Sequence, residues 1–180
     1  MDIKAFLSEN NSRNAVDFCV NLISEDPGKL DELVELVFGM NEKISWRAAW
    51  VLSHVQERFP YLKKKYAELI IQKIVTVNNM STVRSLLKIL TLAEVSFENA
   101  GELFDTCFQW LEDPKQPNAV RVYSMILLYR FSEEFPEIKS ELKYIIENIL
   151  PNAPVSIQSR GKKIMAALSD EHKKVNNSNF

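Results

Sequence analysis

Four arginines recur at nearly constant spacing and divide this chain into repeating segments. They are Arg47, Arg84, Arg121 and Arg160, separated by 37, 37 and 39 residues. In each copy the positions five and eight residues past the arginine are apolar, namely Leu52, Ile89, Ile126, Met165, Val55, Leu92, Tyr129 and Leu168. A period in the high thirties built from two helices is typical of a solenoid, whose units stack because none buries its apolar face alone.

Composition and the placement of prolines predict an all-α chain. Hydrophobic residues make up 46% of the sequence, which excludes disorder, and only 4 glycines occur. All 7 prolines lie where a helix boundary is expected. The apolar spacing predicts helices over residues 2–8, 12–24, 28–40, 44–58, 61–77, 80–95, 98–112, 117–134, 136–150 and 154–169.

The predicted helices alternate between two layers. Those that begin at 44, 80, 117 and 154 carry the arginines, and those that begin at 28, 61, 98 and 136 alternate with them. We expect a two-layer α-α superhelix of about four to five helix pairs, forming a single domain over residues 1–169. The repeat cores are expected near 12–40, 44–77, 80–112, 117–150 and 154–169, and residues 170–180 are expected to form a polar C-terminal tail.

The segments around the arginines resemble the opening of the second helix in HEAT repeats. Asn118-Ala119-Val120-Arg121-Val122 and Thr82-Val83-Arg84-Ser85-Leu86 contain the Val-Arg pair, and Trp46-Arg47-Ala48-Ala49 has tryptophan in the place of valine. The resemblance covers roughly residues 12–169. It implies that the second helix of each pair lines a concave face.

In HEAT repeats this arginine often joins an aspartate of the preceding turn in a ladder that links neighbouring repeats. The resemblance therefore implies a structural ladder formed by Arg47, Arg84, Arg121 and Arg160. The pattern departs from the family before the arginines. Asn41 and Asn78, rather than aspartates, stand six residues before Arg47 and Arg84, and the acidic candidate partner of Arg121, Asp113, lies eight residues before it. We expect Arg84 and Arg121 of the central repeats to bond backbone carbonyls or turn side chains, and Arg160 to contribute less. A basic binding stripe is the alternative for the same residues.

A candidate partner-binding face follows from helical geometry. Positions three, seven and ten residues past an arginine share one side of the helix, and the core positions occupy another. The face predicted in this way comprises Trp50, His54, Glu57, Leu87, Thr91, Glu94, Ser124, Leu128 and Phe131. Trp46 aligns with Val83 and Val120, so it is expected in the core. Trp50 aligns with the smaller Leu87 and Ser124, which predicts a groove beside it if Trp50 is exposed.

The chain contains no recognisable catalytic chemistry. His54 and His172 are its 2 histidines, and no His, Cys and carboxylate residues stand at metal-ligand spacing. It also lacks a phosphate-binding loop, a nucleophile elbow and the Gly-Ser-Ser-x-Met-Pro loop of the adenylosuccinate lyase superfamily. We therefore expect no catalytic residues, no cofactor, no metal and no enzyme. Cys19 and Cys107 are expected to be reduced thiols in the core.

These observations predict a cytoplasmic, non-enzymatic scaffold that binds a protein or peptide on its concave face. No apolar run reaches the length of a membrane helix, so no membrane partner is expected. The alternative is a DNA-binding or alkylated-base repair protein, because bacterial alkylation-repair glycosylases are also built from HEAT-like repeats. A net charge of −2 makes nucleic acid the less favoured partner. Lys63, Lys64 and Lys65 spread around their helix, which favours a solvated surface over a phosphate clamp.

Overall fold

The computed structural model describes residues 1–59, 63–94 and 96–177, with side chains in these ranges except at 63–65 and 170–177. The lysine cluster predicted to be solvated therefore lies outside the described side chains. The helices are α1 (Ile3–Glu9), α2 (Arg13–Glu25), α3 (Lys29–Val37), α4 (Glu42–Arg58), α5 (Lys63–Lys73), α6 (Met80–Leu92), α7 (Gly101–Glu112), α8 (Asn118–Glu134), α9 (Lys139–Ile149) and α10 (Val155–Asn177). Short 3-10 segments occupy Ile74–Thr76, Pro136–Ile138 and Leu150–Asn152. The described residues contain no strand, so the predicted all-α repeat fold is confirmed.

Side-chain caps fix several of the helix starts that the sequence predicts. Asp2 accepts a hydrogen bond from the N–H of Ala5, and Ser12 accepts one from Ala15. Asn41 caps α4, and Asn79 caps α6. Such caps satisfy N–H groups that have no partner within the helix. Predicted and observed ends differ by a few residues, except that α10 continues to Asn177 although a polar tail was expected from residue 170.

The first compact unit, Met1–Ser96, is organised around α4. Helix α3 packs against α4 and α5 packs against α6, while α2, α4 and α6 lie side by side. The hydroxyls of Ser45 and Thr82, 37 residues apart, are 3.3 Å from each other in the buried contact between α4 and α6. The sequence period therefore corresponds to equivalent positions on neighbouring second helices.

The second compact unit, Phe97–Phe180, contains the remaining helices. Helix α7 packs against α8, and α10 packs against both α8 and α9. Its core includes Leu103, Cys107, Leu127, Leu142 and Ile157, which are at most 1% exposed. Nothing in the sequence pattern marks the division at Ser96, and the single domain over residues 1–169 stays a prediction.

The helices are too short or too polar to cross a membrane throughout the part of the chain that the structure describes. Cys19 and Cys107 are both buried free thiols, as expected. Burial raises the pKa of Cys19 to about 11 and that of Cys107 to about 12. Both therefore remain protonated near neutral pH, which leaves them poor nucleophiles.

Two of the four repeated arginines have the structural role expected of a ladder. Arg47 is 7% exposed, and its Nη1 donates to the backbone carbonyls of Leu7 at 2.6 Å and Ser8 at 3.0 Å, near the C-terminus of α1. Arg121 is 5% exposed and donates from Nε to the carbonyl of Leu111 at 3.0 Å, near the C-terminus of α7. Each guanidinium thus pairs carbonyls that a helix end leaves without an intrahelical donor.

The predicted ladder is wrong at Arg84 and Arg160, because both side chains are exposed. On α6 the inward positions on either side of the arginine are occupied by Val83 and Ser85, so the row that carries Arg84 faces outward. The proposed acidic partner of Arg121 also has another role. Asp113 accepts hydrogen bonds from the backbone N–H of Lys115 and the side chain of Gln116.

Replacing the inward and outward arginines should therefore have unequal effects. Arg47→Ala should lower the free energy of unfolding by about 1–3 kcal/mol, because the carbonyls of Leu7 and Ser8 lose a charged donor in a buried position. Arg84→Ala, the matched control, should change it by less than about 0.5 kcal/mol. Urea denaturation of both variants measures the difference, and equal losses would contradict a structural role specific to Arg47.

Candidate functional site

Four members of the predicted partner-binding face lie in the core and cannot contact a partner in this fold. Leu87, Ser124, Leu128 and Phe131 are at most 2% exposed. The error on α6 is one of helix rotation, because its outward row is formed by Ser81, Arg84, Lys88 and Thr91. Helix α8 has no wide polar face at all, since apolar residues surround most of its circumference.

The predicted residues on α4, Trp50, His54 and Glu57, form a continuous outward row together with Trp46, hereafter the α4 row. Positions three and four apart lie above one another on a helix, which brings these side chains together. The rings of Trp46 and Trp50 stack with centroids 6.3 Å apart and planes inclined by 22°. The Trp50 and His54 rings are also 6.3 Å apart, with planes inclined by 60°. Two further predicted residues lie near the end of α6. Thr91, on the helix, is half-buried, and Glu94, just after it, is exposed.

Both tryptophans of the α4 row are half-buried. The expectation that Trp46 lies in the core was wrong, although the aligned valines Val83 and Val120 are fully buried. Trp46 instead stacks on the ring of Trp50 and also lies close to the guanidinium of Arg47, whose Cζ is 5.4 Å from the Trp46 centroid. The row therefore presents partly accessible aromatic surface rather than a single isolated tryptophan.

His54 makes two hydrogen bonds, and the one to Arg13 joins the row to α2. Its Nε2 lies 3.1 Å from Nη1 of Arg13, and its Nδ1 lies 2.8 Å from Oε2 of Glu57. A guanidinium has no acceptor, so Nε2 of His54 must offer its lone pair to Arg13. The neutral tautomer with the proton on Nδ1 satisfies both contacts, because Nδ1–H then donates to Glu57.

Ion pairs extend this arrangement across three helices. Lys88 on α6 approaches Oε1 of Glu57 at 2.6 Å, and Nε of Arg13 on α2 approaches Oδ1 of Asp17 at 3.1 Å. The chain Asp17, Arg13, His54, Glu57 and Lys88, hereafter the polar network, therefore connects α2, α4 and α6. Sequence reasoning found His54 and Glu57 but missed the other three. The position of Arg13 34 residues before Arg47 was the available signal, since it places Arg13 in an earlier copy of the repeat.

A cavity of about 320 Å³ opens beside the polar network. It is lined by Arg13, Asp17, Val20, His54, Glu57 and Arg58. Arg58 is held at its edge by a 2.6 Å hydrogen bond from Nη1 to Oδ1 of Asn21. Two guanidinium groups and two carboxylates therefore face the same space. No group of three or more potential metal ligands occurs in the described part of the chain, and this cavity offers ion pairing and hydrogen bonding instead.

The surroundings hold His54 neutral and Glu57 charged. Partial burial, and then the positive charge of Arg13, lower the pKa of His54 below its ordinary value of 6.5, while Glu57 acts in the opposite direction. Burial alone would raise the pKa of Glu57, but the hydrogen bond and charge of Lys88, together with the hydrogen bond from His54, outweigh it and lower the pKa. The network thus combines a neutral imidazole with an ionised carboxylate near pH 7.

The pKa of His54 makes stability depend on pH in a defined direction. Between its folded pKa and 6.5 the unfolded chain binds more protons at this position than the folded chain. The stabilisation of the fold by neutral His54 is therefore fully present above about pH 6.5. It is lost as the pH falls from 6.5 through the lowered pKa of the folded state. Protonation would also place an N–H of His54 against Arg13.

We expect the free energy of unfolding of the wild type to fall more steeply than that of His54→Gln between pH 7.5 and 5. Glutamine keeps a polar side chain at this position but does not titrate. Urea denaturation at a series of pH values measures the two slopes, with His172 present in both proteins as an internal constant. Superimposable pH profiles would show that His54 makes no such contribution.

Comparison with known proteins agrees with the repeat architecture. A family model described as HEAT repeat domain matches residues 3–168, which is most of the chain. No curated protein and no solved structure matches the chain.

Proposed function

The chain belongs to the HEAT repeat family, and from this premise we propose that it is a non-enzymatic scaffold that binds a protein or peptide through the α4 row. Proteins of this family are commonly helical-repeat scaffolds that interact with other proteins. The observation that carries the proposal is the stacked, half-buried pair of Trp46 and Trp50. The expected location is the concave side, to which the family resemblance assigns the second helices.

Tryptophan is well suited to this role. It is among the side chains most enriched at the energetic centres of protein interfaces, because it combines a large apolar surface with one hydrogen-bond donor. Stacking restricts the rotamers of Trp46 and Trp50 before a partner arrives, which reduces the entropy lost on binding. A partner side chain that packs on this pair would remove its remaining apolar surface from water.

The polar network supplies the edge of the proposed interface. Asp17, Arg13, Glu57 and Lys88 carry charges of both signs within one connected set. Such a rim favours a partner segment with complementary polar groups and contributes more to orientation and specificity than to affinity. Thr91 and Glu94 extend the same rim toward the end of α6 and past it. A protein or peptide offers both apolar and mixed polar groups, which matches this combination.

Replacing Trp50 separates a binding role from a structural one. Trp50→Ala should weaken partner binding at least tenfold, because it removes half of the stacked aromatic surface. The free energy of unfolding should fall by less than the loss of about 3–5 kcal/mol that is expected on truncating a fully buried aromatic residue, because Trp50 is half-buried. Tyr144→Ala is the matched control, because Tyr144 is an aromatic residue that is 66% exposed on α9.

The measurement uses the wild type and both variants as immobilised baits in source-cell extract, followed by titration of the captured protein against each in solution. Circular dichroism and urea denaturation report whether each bait is folded. Equal capture by the wild type and Trp50→Ala would exclude the α4 row as the binding surface. A large loss of stability in Trp50→Ala would assign that residue to the core instead.

The alternative function is binding or repair of DNA. It is supported by the cavity beside His54, where two arginines and two carboxylates meet, since an enzyme reads an extruded base through hydrogen bonds to the edge of that base. The carboxylates weigh against it, because they repel backbone phosphates. Random duplex DNA should therefore bind more weakly than ~10⁻⁴ M at physiological salt. A micromolar complex that weakens steeply with added salt would favour the DNA-binding alternative.

A further inference from the structure

An aromatic pocket occupies the second unit, separate from the α4 row. The phenylalanine pocket is formed by Phe97, Phe104, Phe131 and Phe135 and encloses about 240 Å³. The Phe97 and Phe131 centroids are 4.2 Å apart, and those of Phe104 and Phe131 are 5.4 Å apart in an edge-to-face arrangement. Phe97 and Phe131 are at most 4% exposed, whereas Phe104 and Phe135 are half-buried and border the opening.

The wall formed by Phe97 is held in place by polar contacts from α8. The carboxylate oxygens of Glu134 accept the N–H of Phe97 at 3.3 and 3.1 Å. On the same helix, Arg130 places its Cζ 5.2 Å from the Phe97 ring centroid. These contacts fix the backbone and the ring of Phe97 together. One wall of the pocket is therefore built into the packing of the unit.

The size of the pocket suits one side chain. Its volume lies below the about 300–1,000 Å³ of pockets that hold whole small-molecule ligands. Gly101, at the start of α7, lines the pocket, and a Cβ added there would meet nothing within 4 Å. The absence of a side chain at this position contributes to the open space.

Acidic residues surround this apolar space. Glu98 and Glu137, from two different segments, line the pocket together with Ile138, and both glutamates are exposed. The segments that form the pocket, residues 97–105 and 130–141, contain seven acidic residues and two basic ones, Arg130 and Lys139. The lining itself contains two carboxylates and no lysine or arginine, which favours a cationic partner over nucleic acid or an acidic peptide.

We propose that the phenylalanine pocket binds one aromatic or large aliphatic side chain of a peptide in which lysine or arginine flanks that side chain. The apolar side chain would pack against Phe104 and Phe135, and the flanking cations would lie near Glu98 and Glu137. This site lies in the second unit and does not rest on the α4 row, so either binding function can fail without the other.

Three synthetic peptides test the proposal with the full-length protein. Fluorescein-labelled Gly-Lys-Lys-Phe-Lys-Lys-Gly is compared with the same peptide carrying alanine in place of phenylalanine, and with Gly-Glu-Glu-Phe-Glu-Glu-Gly. Fluorescence anisotropy at physiological salt measures each Kd. The basic phenylalanine peptide should bind at least tenfold more tightly than either control. Equal affinity of the phenylalanine and alanine peptides, or tighter binding of the acidic peptide, would overturn the proposal.

Substitutions at two lining positions locate the binding. Gly101→Leu places a side chain at the pocket and should weaken binding of the basic phenylalanine peptide at least tenfold. Gly101→Ala, its matched control, adds one methyl group in open space and should stay within about twofold to threefold of the wild type. Glu137→Lys should weaken binding by reversing a charge at the edge of the pocket. Wild-type affinity in both Gly101→Leu and Glu137→Lys would overturn the assignment to this pocket.

Discussion

The packing of α4 is the constraint on which the first unit and its candidate site depend. Helix α4 contacts α1, α2, α3 and α6, so most of its circumference is covered. Ala48, Ala49, Val51, Leu52 and Val55 are completely buried. Arg47 lies among these residues and binds the C-terminal carbonyls of α1. Between the ends of α4, the neighbouring helices leave only the α4 row partly uncovered, and the position of that row is therefore a consequence of how the core is built.

Position in the repeat and chemical role are separable in this chain. Arg47 and Arg121 occupy equivalent sequence positions and both bind carbonyls at helix ends, yet Arg84 lies between them in sequence and faces solvent. A shift of one residue turns a side chain by about 100° around a helix. The repeat thus preserves the helices and their order, while each helix adjusts its rotation to the side chains that it must bury.

The helices could be predicted from sequence because their signals are local. Prolines mark boundaries, Asn41 and Asn79 cap their own helices, and apolar spacing gives the period. Which side of a helix is exposed depends on neighbours that are distant in sequence. Leu87 was placed on the surface by analogy with Trp50, but α6 buries that side against the rest of its unit.

The candidate site was only partly predictable for the same reason. The spacing of Trp50, His54 and Glu57 within one helix was enough to predict that they share a face, whereas Trp46 was expected in the core. Their connections to Arg13 and Lys88 join different helices, and no spacing within one segment specifies such pairs. The phenylalanine pocket likewise combines residues from α7, α8 and the segments that precede α7 and α9, so it was not visible as a motif.

Site-specific photo-crosslinking tests most directly whether the α4 row is a partner-binding surface. A photoreactive benzoylphenylalanine is introduced in place of Glu57, whose side chain is 39% exposed at the end of the row, or in place of Tyr144 on α9. After irradiation in the source cell, a binding role for the row predicts a discrete crosslinked protein from position 57 that is missing from position 144. Crosslinking from position 144 alone, with none from position 57 in a folded protein, would contradict that role.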